Sequence, residues 1–176
     1  MRIIYSLCVF VGLLTFPYKD VSAFPTGGVF KICNLAAFGC LAPGSDDIIT
    51  LSWHPATEPL GANVTWEAFY AGHSGGHAYY FIANIHTGKC LDVVDGAYHD
   101  GAQLKVNPCS AVSTSQWWRV QTYGVFGTTN IRNLPSGKCI TVPLKSYNTW
   151  SGAPPVQFSC GNKNQHNQYF SYDVYP

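Results

Sequence analysis

Three short phrases recur along this chain at a spacing of about fifty residues: NLAAFGC at 34–40, NIHTGKC at 84–90 and NLPSGKC at 133–139. Cys40 precedes Cys90 by 50 positions, and Cys90 precedes Cys139 by 49. An aromatic residue answers each phrase downstream, at Trp66, Trp118 and Phe170, each 52 positions after the last. A period of this size marks a threefold array of one small supersecondary unit. One such unit cannot bury its own apolar face, whereas three around a common axis can. Trp66, Trp118 and Phe170 are therefore read as core residues rather than ligand platforms.

The units are read as β-structure. Segments 79–85, 102–107, 117–123 and 167–175 alternate or are rich in aromatic and β-branched residues, and clusters of Gly, Pro, Asn and Ser separate them. No stretch sustains a helical period. The expectation is an all-β domain with about four short strands per repeat, the repeats spanning about 27–73, 78–124 and 127–176. Residues 71–77 read as a loop joining the first two repeats.

Residues 1–23 are set apart from the fold as a signal peptide. Arg2 supplies a positive start, 3–16 is almost wholly apolar, and Val21-Ser22-Ala23 offers small residues at a cleavage site. A membrane anchor fits less well, because the run is shorter than the ~20 residues a spanning helix needs and Pro17, Lys19 and Asp20 interrupt it. No later segment is long and apolar enough to span. The expectation is a secreted, extracellular protein whose domain covers 24–176. That stretch has 8 basic and 8 acidic residues. With no basic stripe to hold phosphates, nucleic acid is not an expected partner.

Six cysteines remain after the leader: 33, 40, 90, 109, 139 and 160. An even number in a secreted chain implies bridges, and six formally allow fifteen pairings. The repeat narrows them. Cys90–Cys109 and Cys139–Cys160 occupy equivalent places in repeats two and three, leaving Cys33–Cys40 for repeat one. An Asn-Val-Thr sequon begins at Asn63 and reads equally as a glycan acceptor or a chance tripeptide.

Repeat two runs CLDVVDGAYHDGAQLKVNPC from 90 to 109, followed by Gln116-Trp117-Trp118. This resembles the ricin B-type lectin family, whose repeat carries C-x-D, a D-G turn, a second Cys and a Q-x-W motif. Repeat three keeps both cysteines and a relaxed Gln168-Tyr169-Phe170. Repeat one keeps Cys40 and Trp66, has Val64 in place of the Gln, and has no partner cysteine near Trp53. The resemblance covers 27–176 and implies a β-trefoil.

A simple sugar offers hydroxyls and one flat apolar face, so its site needs a carboxylate or amide and an aromatic ring. The resemblance assigns these roles in repeat two to Asp92, as the sugar-binding aspartate, and Asp95, as the D-G turn aspartate supporting it. Lys105 stands where the family often has Gln, Ser115 where it often has Asn, and Gln116 is the Q of Q-x-W. Asn107 falls where the family puts its stacking aromatic, with Tyr98 or His99 as conceivable substitutes. The competing reading of Asp92 is a turn residue satisfying nearby amides. Repeat three inverts the defect: Phe158 holds the stacking position with Gln157 beside it, but Thr141 replaces the aspartate. Tyr147 and Trp150 lie in a loop placed to cover that pocket. Repeat one lacks both halves of the motif and offers only Trp53 and His54.

Two catalytic signals are discounted. Gly72-His73-Ser74-Gly75-Gly76 satisfies G-x-S-x-G, but that elbow needs a strand before it and a helix after it, and 77–85 reads as a strand. His73 and His77 have a metal-ligand spacing only on a helix, and acids are too sparse to nominate a glycosidase pair. The expectation is a carbohydrate-binding trefoil without catalysis, metal or cofactor, whose partners are glycans or glycoproteins. One alternative is a protein-interaction trefoil such as a secreted effector or a toxin receptor-binding or delivery subunit, as in cytolethal distending toxins. A second is a secreted protease inhibitor acting through a protruding loop.

Overall fold

The alternation of apolar and polar residues becomes fourteen strands in a computed structural model that describes residues 27–52, 61–123, 128–146, 149–161 and 166–175. The expected leader at 1–23, Trp53, His54 and Tyr147 lie outside the described residues. Repeat one supplies β1 (Val29–Asn34), β2 (Gly39–Pro43), β3 (Ile49–Ser52) and β4 (Trp66–Ser74). Repeat two supplies β5 (His77–Asn84), β6 (Cys90–Val93), β7 (Ala102–Asn107) and β8 (Trp118–Tyr123). Repeat three supplies β9 (Thr128–Asn133), β10 (Cys139–Thr141), β13 (Val156–Phe158) and β14 (Phe170–Tyr175), with a small hairpin of β11 (Leu144–Ser146) and β12 (Thr149–Trp150) inserted.

The first and last strands of each repeat pair in a closed circuit, β1–β4–β5–β8–β9–β14 and back to β1. Closure removes the edges that would template aggregation. The pairs β2–β3, β6–β7 and β10–β13 form one hairpin-like unit per repeat. This is the β-trefoil that the resemblance implies. Trp66, Trp118 and Phe170 are each 0 % exposed, in one cluster with Phe30, Ile82 and Ile131. A buried indole N–H needs an acceptor. Trp66 donates to the Leu41 carbonyl and Trp118 to the Leu91 carbonyl, both at 2.9 Å, two equivalent bonds in successive repeats.

The recurring phrase has a mechanical explanation. In each copy the Asn carbonyl accepts from the turn that follows it, as Asn34 Oδ1 does from Ala36 N and Ala37 N and Asn84 Oδ1 from Thr87 N. Its amide reaches the segment before the barrel strand of the neighbouring repeat, as Asn34 Nδ2 to the Tyr169 carbonyl, Asn84 Nδ2 to Asn63 and Asn133 Nδ2 to Ser115. One side chain thus closes a turn and staples two repeats. The turn needs a left-handed residue, supplied by Gly88 (φ 66) and Gly137 (φ 64) but by Phe38 (φ 51) in repeat one. The lysines of the two GKC phrases also reach back into the preceding repeat, Lys89 to Asp47 at 2.5 Å and Lys138 to Asp100 at 2.6 Å.

All three expected disulfides are present: Cys33–Cys40, Cys90–Cys109 and Cys139–Cys160. The first joins directly opposed residues of β1 and β2. The expectation of a loop at 71–77 is corrected. Gly72, His73 and Ser74 continue β4, His77 begins β5, and only Gly75 (φ 56) and Gly76 (φ 78) turn the chain. Two consecutive positive-φ glycines match the twist of a tight hairpin, which is why the chain stays paired to the tip. Among the described residues no helix is long and apolar enough to cross a membrane.

Candidate functional site

Repeat two buries the aspartate around which its pocket is expected. Asp92 on β6 is directly opposite Lys105 on β7, and Asn107 is opposite Cys90. Asp92 is only 4 % exposed. Its Oδ1 accepts from Val93 N at 2.8 Å, and its Oδ2 from Asn107 Nδ2 at 2.9 Å and Gln116 Nε2 at 3.2 Å. Gln116, also buried, donates further to the Pro108 carbonyl and accepts from Ser110 N. The carboxylate therefore organises the loops around the Cys90–Cys109 bridge, and Asn107 gives its amide to Asp92 where the family resemblance puts a stacking ring. Asp95 is exposed in a left-handed turn (φ 55) and makes no hydrogen bond to Asp92. Its implied supporting role falls instead to Asn107 and Gln116. Lys105 is half-buried and forms no ion pair with Asp92. Tyr98 is exposed, and His99 accompanies it on the same loop.

Repeat three has the same wiring without the charge. Gln168 is buried, donates to Thr141 Oγ1 at 2.9 Å and to the Ser159 carbonyl at 3.0 Å, and accepts from Gly161 N at 2.8 Å. Thr141 follows Cys139 by two positions, as Asp92 follows Cys90, and Phe158 precedes Cys160 by two, as Asn107 precedes Cys109. Here the pocket is open. A cleft of about 770 Å³ is lined by Thr141, Pro143, Leu144, Phe158, Asn167 and Gln168, with Ser146 and His166 at its side. The Phe158 ring is 45 % exposed. Leu144 and Ser146 come from the inserted hairpin, which makes one wall. Trp150 on the same hairpin is half-buried against the core and donates its indole N–H to the Ala153 carbonyl.

Gln157 does not line the cleft. It is 0 % exposed, donates to the Ala97 carbonyl at 2.6 Å, and accepts from Ser136 Oγ at 2.7 Å. Its amide ties the 97–101 loop of repeat two to β13. Asp100 strengthens that junction by accepting from Ser159 N at 2.7 Å and from Lys138. The Lys138 ammonium, with Ser159, holds the Asp100 carboxyl below its ordinary range.

Chemically, the cleft offers an exposed ring for stacking, apolar walls, and two polar groups free for a ligand. The Ser146 hydroxyl and the Asn167 side-chain amide have no hydrogen-bond partner among the described residues. Among the described residues no carboxylate or ammonium lines it. Asn167 was legible in the sequence, since it precedes Gln168 as Ser115 precedes Gln116. Pro143, Leu144, Ser146 and His166 carry no motif, because the inserted hairpin belongs to repeat three alone. At the G-x-S-x-G match, Ser74 ends β4 and β5 follows the turn, so the strand–helix elbow is not formed. Among the described residues no group of three or more His, Cys, Asp or Glu is placed to hold a metal ion.

The family description "Ricin-type beta-trefoil lectin domain-like" matches residues 62–158, more than half of the chain. The chain belongs to this family. Its trefoil is similar to a designed threefold-symmetric protein, ThreeFoil, at 24 % identity and a TM-score of 0.68, covering 85 % of this chain and 99 % of that one. It is also similar to the Polyporus squamosus lectin bound to a human-type influenza-binding epitope, at 18 % identity and 0.67, over 86 % and 50 % of the two chains. A third likeness is the Macrolepiota procera ricin B-like lectin in complex with lactose, at 15 % identity and 0.64, over 86 % and 99 %. At these identities the likeness establishes the fold. No curated protein sequence matches the chain.

Proposed function

We propose that this lectin-like trefoil is a secreted protein without catalysis of its own, and that it binds carbohydrate through the repeat-three cleft. The observation that carries the reading is the position of the open cleft. It lies at the hairpin where the family resemblance puts a sugar, with Phe158 exposed at the stacking position and Asn167 and Ser146 beside it. A ring stacked on a sugar face contributes ~0.5–1.5 kcal/mol beyond area burial. Millimolar sugar binding totals only ~4 kcal/mol. Loss of the ring therefore removes a large share of the affinity. The lectin neighbours, two with a bound glycan or lactose, support the ligand class, and the apolar leader with three disulfides supports secretion.

The test is a glycan array read with the unmodified chain and with Phe158→Ala. Signal that falls about tenfold in the variant, with the fold retained, is the expected result. Signal unchanged in Phe158→Ala overturns the assignment of the site. A second reading, docking of a partner protein, draws on a different observation. Phe69 and Tyr70 are 48 % and 56 % exposed on the β4–β5 hairpin, beside the edge-to-face pair of Phe81 and Trp117. A folded chain that binds no glycan at millimolar concentration would favour that reading.

A further inference from the structure

The chain has three arginines, at positions 2, 119 and 132, and the fold sets the last two against each other. Arg119 on β8 is in direct register with Arg132 on β9, so both side chains leave the same face of the barrel. Directly opposed residues on antiparallel strands have Cβ atoms ~4.5–5.5 Å apart, and like charges at that position repel. Lys89 and Lys138 each have a carboxylate partner, Asp47 and Asp100. The arginines have none among the described residues. Arg119 makes no hydrogen bond there, and its Nε is buried without an acceptor. Arg132 gives only its Nε, to the Gly137 carbonyl.

Both residues are half-buried, and their terminal guanidinium nitrogens are not among the buried unpartnered atoms, so they reach the surface. Trp117, two positions before Arg119 and just ahead of β8, has a buried indole N–H that also lacks an acceptor. That N–H and the Arg119 Nε lie beneath the surface, so the donors this face offers a ligand are the terminal guanidinium nitrogens. Asn130, on the same side of β9, is 2 % exposed, so its unpaired Oδ1 lies beneath the surface that a ligand would reach. Cys139 is opposite Arg132, and Phe158 is opposite Cys139. At ~4.8 Å per strand, the backbones of Arg132 and Phe158 stand roughly 10 Å apart.

We propose that Arg119 and Arg132 form an oxyanion site that takes a sulfate ester or carboxylate. An anion between the two guanidinium groups offsets their repulsion and supplies charge-assisted hydrogen bonds in the forked geometry that arginine favours. The shared ligand chemistry is the oxyanion, whether free in solution or carried on an acidic saccharide.

Inorganic sulfate is the probe, with sodium chloride at matched ionic strength as control. At about ten times its dissociation constant, sulfate raises the melting temperature by about 3–5 °C over chloride. Arg119→Gln and Arg132→Gln each abolish that increment while remaining folded. An increment that is absent, or that persists equally in both variants, overturns the proposal, because salting-out alone would explain it. Phe158→Ala leaves the increment in place, which separates failure of this site from failure of the cleft. Calorimetry with a sulfated disaccharide and its unsulfated parent then identifies the source. Binding of the sulfated form about tenfold tighter than free sulfate assigns the site to an acidic glycan, and equal binding assigns it to the free anion, both upholding the oxyanion site.

Discussion

Replacing Asp92 by Ala separates two roles that the sequence leaves superimposed. If Asp92 organises loops, as its three hydrogen bonds indicate, the variant loses stability and retains ligand binding. The carboxylate is 4 % exposed, and Gln116 and Asn107 both donate to one of its oxygens. Gln116 keeps the Pro108 carbonyl as a second acceptor, and Asn107 is half-buried and regains water. The loss is therefore smaller than for an isolated buried charge. Hydrogen bonds to a charged group contribute ~1.5–3 kcal/mol each to their partners. With that partial compensation the net cost is about 2–3 kcal/mol, or about 5–10 °C in melting temperature for a domain of this size. Asp92→Asn also destabilises, by about 1–2 kcal/mol. If its oxygen faces Gln116 and Asn107, its amide is turned toward the Val93 N–H, donor against donor. Thermal unfolding monitored by tryptophan fluorescence, with a parallel glycan-binding measurement, reads both effects. An Asp92→Ala chain that unfolds at the unmodified temperature but no longer binds sugar would refute the reasoning and restore Asp92 as a ligand contact.

Two further outcomes follow from the bridges and from the inter-repeat clasp. Opening Cys90–Cys109, with 19 residues of separation, costs about 3 kcal/mol by chain entropy, whereas opening Cys33–Cys40, with 7, costs about 2 kcal/mol; denaturant midpoints of the double-serine variants check the order. The Asp100 carboxyl is held below its ordinary value of 3.8 by Lys138 and Ser159, so its contribution is fully present above that value and is lost as pH falls through the lower folded-state value. Melting curves of the unmodified chain and Asp100→Asn are therefore expected to differ at neutral pH and to converge at the acid end of a titration below pH 3.8.

The clasp also bears on how the cleft is held. Gln157 is next to Phe158 in sequence and Asp100 is held near it through Ser159, yet neither lines the cleft. They tie a loop of repeat two to the strand that carries the ring, through Gln157 Nε2 on Ala97 and Asp100 on Ser159 N. A residue beside a stacking aromatic looks like a ligand contact in sequence. On a strand, however, adjacent side chains point to opposite faces, and Gln157 points inward.

The sequence by itself determined the threefold architecture, the disulfide pairing and the three core aromatics. Each is a periodic property: the units are copies, so the spacing of Asn, Cys and aromatic residues reports which positions are equivalent. It also located the Phe158 position through its distance from Cys160. Only the tertiary structure revealed the open cleft at repeat three. Asp92 fits the family motif better than Thr141 does, but it is buried with its oxygens taken by Val93, Asn107 and Gln116, while the inserted β11–β12 hairpin walls a cleft beside Phe158. The register that opposes Arg119 to Arg132 was equally hidden. Both depend on pairings between strands whose facing residues are 13 to 19 positions apart, from Arg119 and Arg132 to Cys139 and Phe158, and no local pattern encodes which side chains meet across such a gap.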